Sequence, residues 1–176
     1  MQTIRLSGAT TAAVFAGALM LAAPGSSSAQ ETGFSARLES FNEVPSISST
    51  ASGSFRATLS EDGLSLNYKL SHSGLSAPIT QSHIHFGQTH TNGAIMVFLC
   101  QTVSNPDPTG LAPECVQSGT VEGTITTANI IQAGNQGIGN GEFGEFLAAI
   151  EDASGYVNVH TTGFGSGEIR GQVVKR

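Results

Sequence analysis

The stretch GSFRATLSEDGLSLNYKL, residues 53–70, decides how the rest of the chain is read. In its first half Phe55, Ala57 and Leu59 alternate with Arg56 and Thr58, and LSLNYKL (64–70) alternates again. A period of two is that of a strand with one face buried and one wet. SEDG lies between the halves, with Asp62-Gly63 suited to a tight turn, so a β-hairpin is predicted over 53–70.

The same pattern recurs outward from this hairpin. FSARLESFN (34–42) reads as a strand, followed by a Ser-rich loop containing Pro45. SHIHF (82–86), VEGTITT (121–127), YVNVHTT (156–162) and GEIRGQVVKR (167–176) read as further strands, and the almost wholly apolar AIMVFLC (94–100) as a central one. EFGEFLAAIEDA (142–153) breaks the pattern. Phe143, Phe146, Leu147 and Ile150 fall on one face of a helix, with Glu142 and Glu145 in its first turn, where the helix dipole favours acids. The expectation is an all-β domain, a Greek-key β-sandwich or barrel of about eight short antiparallel strands with one helix in a connection.

Composition agrees with short strands and tight turns: 22 glycines, no tryptophan and 11% charged residues. Residues 1–29 read as a secretory signal peptide, with Arg5 ahead of an apolar run from Ala12 to Ala23 and small residues up to a cleavage point after Ala29. A membrane anchor fits less well, because the run falls short of the roughly 20 apolar residues of a spanning helix. Residues 30–176 are expected to form one exported domain, periplasmic or extracellular, with no transmembrane segment. Of the chain's seven basic residues this part keeps six, against thirteen acidic ones. That balance is no footprint for nucleic acid. Export makes a Cys100–Cys115 disulfide the leading expectation, closing a loop rich in Pro and Gly. Thiolate ligation of a metal is the alternative.

The histidines carry the chemistry. Residues two apart on a strand share a face, so His83 and His85 point away from Ile84 and Phe86. In YVNVHTT the residues Val157 and Val159 take one face, leaving Tyr156, Asn158 and His160 on the other; Glu168 and Arg170 likewise oppose Ile169. If these strands are neighbours, His83, His85, Asn158, His160, Glu168 and Arg170 form one polar patch on the outer, solvent-facing side. Three imidazoles there could bind Cu or Zn with one position open. The same patch could equally be a hydrogen-bonded network pinning the sheet. His72 and His90 read as exposed, Glu61-Asp62 and Glu151-Asp152 as solvated surface. Ser82 faces away from His83, so no Ser/His pair forms, and GNQGIGNG (134–141) lacks a full dinucleotide fingerprint.

LESFNEVP with ASG (38–53), SHIHFG (82–87), VFLC with PEC (97–115), and YVNVHT with GEIRGQ (156–172), in that order, resemble the CHRD, or chordin-type, domain family, in its single-domain bacterial exported form. The resemblance implies an all-β domain without established catalysis, and paired cysteines like those of bacterial members support the disulfide. A fainter likeness is to copper/zinc superoxide dismutase, whose copper ligands include an H-x-H pair. It implies His83, His85 and His160 as copper ligands. The zinc loop has no counterpart, since 87–93 offers only His90 and 101–114 only Asp107. Two functions follow as expectations. One is a non-enzymatic binding or structural module with an unidentified extracellular or envelope partner. The other is a copper metalloprotein using the three histidines.

Overall fold

The computed structural model describes residues 31–176, together with residues 2, 3 and 8. The predicted signal peptide falls almost wholly outside the described residues. Among these no helix is long and apolar enough to cross a membrane.

Nine strands form one sheet: β1 (Gly33–Glu39), β2 (Ser52–Leu59), β3 (Leu66–Ser73), β4 (Ile79–Phe86), β5 (Ala94–Cys100), β6 (Gly119–Ile125), β7 (Gly155–Thr161), β8 (Ile169–Gln172) and β9 (Val174–Lys175). The predicted last strand is split at Val173 into β8 and β9, which accounts for the extra strand. Pairing is antiparallel in the order β5-β4-β7-β8-β1-β2-β3-β6, with β9 added beside β1. The end strands β5 and β6 approach each other, so the sheet curls into a nearly closed barrel. With that seam counted, β4, β5 and β6 lie side by side and β7 returns to lie next to β4, which is a Greek key.

The hairpin predicted over 53–70 is β2–β3, in register from Ser52↔Ser73 to Leu59↔Leu66. Its turn is held by Asp62 Oδ1, which accepts from the Ser60 hydroxyl (2.5 Å) and the Leu64 amide (3.0 Å), with Gly63 at φ 73°. The inward residues Phe55, Leu66, Leu70, Ile84, Leu99 and Ile169 fill the barrel. The predicted helix is α1 (Phe143–Glu151); it buries Phe143, Phe146, Ala149 and Ile150, the apolar side foreseen from its spacing except that Leu147 is only partly buried.

One strand is not where its composition put it. β5 is no central strand but one end of the pairing order, bonded only to β4. It is apolar because Met96, Val97, Phe98 and Leu99 are all buried, so both of its faces are covered. The seam beside it is stitched by the Ile131 amide, which donates to the Met96 carbonyl (3.0 Å), and by the Tyr68 hydroxyl, which donates to the Leu99 carbonyl (2.6 Å). At its end Cys100 is bonded to Cys115, anchoring the following loop to the barrel. β8 runs so close to β1 that a Cβ at Gly171 would strike the Arg37 carbonyl, which explains the glycine in GEIRGQ.

Candidate metal centre

Strand alternation places the histidines together, as expected from sequence. β4 pairs with β7 in the register His83↔Asn158 and His85↔Tyr156, and β7 with β8 in the register Asn158↔Arg170. Donor atoms of His83, His85 and His160 lie within 4.8 Å of one another. The closest pair is His83 Nδ1 and His160 Nε2, 3.1 Å apart.

The patch is not solvent-facing. His83, His85 and His160 are 0%, 8% and 6% exposed, and Asn158, Glu168 and Arg170 are equally buried. The face is covered by three connections that period-two alternation could not foresee. The segment after β1 is tied down by Asn42, which donates to the Arg170 carbonyl (3.1 Å), and by Asn92, which donates to the Val44 carbonyl (3.2 Å). The β4–β5 loop is held by the Arg170 guanidinium, which donates to Asn92 Oδ1 (3.1 Å), the Gln88 carbonyl (3.1 Å) and the Thr91 carbonyl (2.6 Å). The β7–β8 loop brings Gly165 and Ser166 over His160 and Asn158.

Those loops also fix the tautomers. Carbonyls only accept, so His85 Nδ1–H donates to Gly93 (2.9 Å) and His160 Nδ1–H donates to Gly165 (3.0 Å). That leaves Nε2 as the lone-pair nitrogen of each ring; His160 Nε2 stands 3.1 Å from His83 Nδ1 and 3.0 Å from Asn158 Oδ1. His85 Nε2 and His83 Nε2 are buried with no hydrogen-bond partner, a condition that costs about 1–3 kcal/mol per atom. Protonation is no remedy. Burial, reinforced by the neighbouring His160 and His85, pushes the His83 imidazole down to about 2. Burial likewise brings His85 down to about 4, with the Gly93 carbonyl only partly offsetting it, and burial lowers His160.

Donor identity fits a transition metal, and the closest donor pair has the spacing of two ligands on one ion. Two nitrogens each about 2.0 Å from one ion stand about 2.8–3.3 Å apart, which brackets the 3.1 Å between His83 and His160. Backbone carbonyls behind two of the rings are the outer-shell partners that orient imidazole ligands. His85 also lies flat against Tyr156, centroids 4.7 Å apart and planes 2° apart, while Arg170 sits 3.4 Å over the Tyr156 ring. The alternation in YVNVHTT had placed Tyr156 on this face without showing that it would stack on a ligand.

Other sequence-singled residues separate from the cluster. Glu168 is buried, but its Oε1 accepts from the Ser49 hydroxyl (2.6 Å) and the Ser76 amide (2.8 Å), and its Oε2 from the Thr161 hydroxyl (2.8 Å). Burial raises its pKa, and those hydrogen bonds outweigh burial and bring it below the usual value. The carboxyl facing Arg170 is instead Glu43, whose only sequence signal was its place in LESFNEVP. Burial pushes Glu43 up to about 7 against the pull of Arg170 and the Val44 amide, and its Oε1 has no partner. Gly167, at φ 126°, leaves the room that Glu43 and the Asn158 amide occupy. His72 is not exposed as expected: at 4% exposure it points with Leu70 into the barrel, neither ring nitrogen partnered. His90 is exposed. Asp107 accepts from the Thr109, Leu111 and Ala112 amides and so serves its own loop.

Fold and site together define a Greek-key β-barrel module with a covered three-histidine cluster on one face. The chain belongs to the CHRD domain family, whose profile matches residues 34–173. No curated protein matches the chain.

Proposed function

We propose that this protein is an exported CHRD module that holds one transition-metal ion, copper in first place, on His83, His85 and His160. The observation that carries this is the convergence of three neutral, buried imidazoles, of which His83 and His85 each keep an Nε2 without a hydrogen-bond partner. A complete sheet-pinning network would leave no such orphaned atoms, whereas an ion among the rings takes up the lone pairs turned toward it. Bound copper would supply a redox-capable Lewis acid. The protein's own contribution is to hold the His85 and His160 rings in fixed tautomers through Gly93 and Gly165 and to exclude water with the loops that Arg170 anchors. Export is supported by the leader-like residues 1–29 and by the disulfide, which persists in oxidising compartments. A binding rather than catalytic role is supported by how little of the ligand rings is open to solvent.

The test is metal analysis of protein recovered from an oxidising compartment, together with spectroscopic titration by Cu(II) and Zn(II). One equivalent of metal, lost in His83→Ala and in His160→Ala, is the expected result. Wild-type protein that is metal-free and ignores both ions would sink the proposal.

A further inference from the structure

We infer that the three-histidine centre selects the monovalent ion Cu(I) over the divalent ions Zn(II) and Cu(II), and that Arg170 sets this preference; the inference rests on the metal site proposed above. Charge is the first reason. All three donors are neutral rings, and among the described residues no carboxylate or thiolate joins their cluster. The two buried carboxyl groups of the region are directed elsewhere. Glu168 has both oxygens bonded to Ser49, Ser76 and Thr161, and Glu43 interacts with the Arg170 guanidinium. An ion entering the cluster therefore meets no anionic ligand.

Beyond Tyr156, the ring stacked on His85, lies a buried cation instead. Arg170 is 2% exposed, lies 3.4 Å over Tyr156, and acts electrostatically on His85, the ring stacked parallel to that tyrosine. Its position is fixed by the three bonds to the β4–β5 loop, so it cannot swing away when an ion binds. The cost of transferring an ion from water into a low-dielectric site rises with the square of its charge, so a dication pays about four times what a monocation of equal size does. Repulsion from Arg170 doubles as well.

Coordination number points the same way. Zn(II) completes a tetrahedron, and three protein nitrogens leave it one ligand short. With the ligand rings 0–8% exposed, a fourth ligand from solvent would have to displace the covering loops. Cu(I) is satisfied by three donors in a plane, so the three imidazoles can complete its shell with no fourth ligand once they draw in around it.

The experiment measures the affinity of the whole exported protein for each ion: Cu(I) without oxygen against a chromophoric Cu(I) chelator, Zn(II) and Cu(II) against chelators of their own. Wild-type protein is expected to hold Cu(I) at least about a hundredfold more tightly than Zn(II). Arg170→Gln should narrow that ratio by about tenfold, while Arg170→Lys, which keeps the charge but not the guanidinium fork, should retain it. Zn(II) or Cu(II) bound as tightly as Cu(I) by wild-type protein overturns the inference, whatever the variants do. Equal shifts in the Gln and Lys variants overturn the part given to Arg170. Failure to bind any of the three ions would remove the metal site itself, a result distinct from tight binding of the wrong ion.

Discussion

His83 Nδ1 and His160 Nε2 stand 3.1 Å apart although 77 residues separate them in the chain. Only the β4–β7 ladder brings them together, so an ion bridging them ties two distant parts of the barrel. Metal loading is therefore expected to stabilise the fold, by about 2.7 kcal/mol when the free ion is at a hundred times its dissociation constant. Urea unfolding with and without one equivalent of ion would show this as a shift in midpoint, absent in His160→Ala. Equal midpoints for loaded and metal-free wild-type protein would refute it.

Acid should unfold the metal-free protein early. The folded-state pKa of His83 is pushed down to about 2 and that of His85 to about 4, both chiefly by burial, from an ordinary value of 6.5. Below 6.5 the unfolded chain takes up protons that the folded one refuses. The stability these groups contribute is thus present above pH 6.5 and lost as pH falls, at up to about 1.4 kcal/mol per pH unit for each group. Denaturation curves at pH 7.5 and 5.5 measure the loss. A stability unchanged over that interval in Glu43→Gln, which lacks the opposing carboxyl, would contradict the buried, neutral state of the rings.

Glu43 works with the opposite sign. Its folded pKa is raised to about 7 from 4.5, mainly by burial, so its contribution is present below pH 4.5 and lost as pH rises through 7. Glu43→Gln is expected to be more stable than wild type at pH 8 and to lose that advantage at pH 5. The variant should also show the steeper decline toward acid, because the offset that Glu43 gives the histidines is gone. Comparing unfolding midpoints of the two proteins at both pH values decides the point.

His72 offers a control outside the cluster. It is buried beside Leu70 in the barrel with neither nitrogen bonded, and burial lowers its pKa. His72→Leu should raise stability by about 1–3 kcal/mol, the cost of an unsatisfied buried polar group, and leave metal stoichiometry unchanged. Loss of metal in this variant would mean that the centre extends further than the three rings.

Much of this was legible from the residues. Alternation assigned Phe55, Leu70, Ile84 and Ile169 to the interior and put His83, His85, Asn158 and His160 on one common face, because side-chain direction on a strand is fixed by the pleat alone. What lies over that face is a matter of loops, and loops have no period. Hence the histidines, expected in water, are found covered, Glu168 was grouped with Arg170 while its partners are Ser49, Ser76 and Thr161, and Glu43, part of LESFNEVP, was given no place in the patch. β5 misled for a related reason: composition reports that both faces are buried but not whether a neighbour strand or a connecting segment does the covering.

The register that joins β4 to β7 also sets an order of events. His83 and His85 leave the ribosome long before His160, and the carbonyl that orients His160 belongs to Gly165, later still. A chain in transit, or one cut short before β7, carries an H-x-H pair and nothing to complete it. Capture by all three rings requires the β4–β7 pairing, so occupancy of the full centre would serve as a certificate that the barrel has closed.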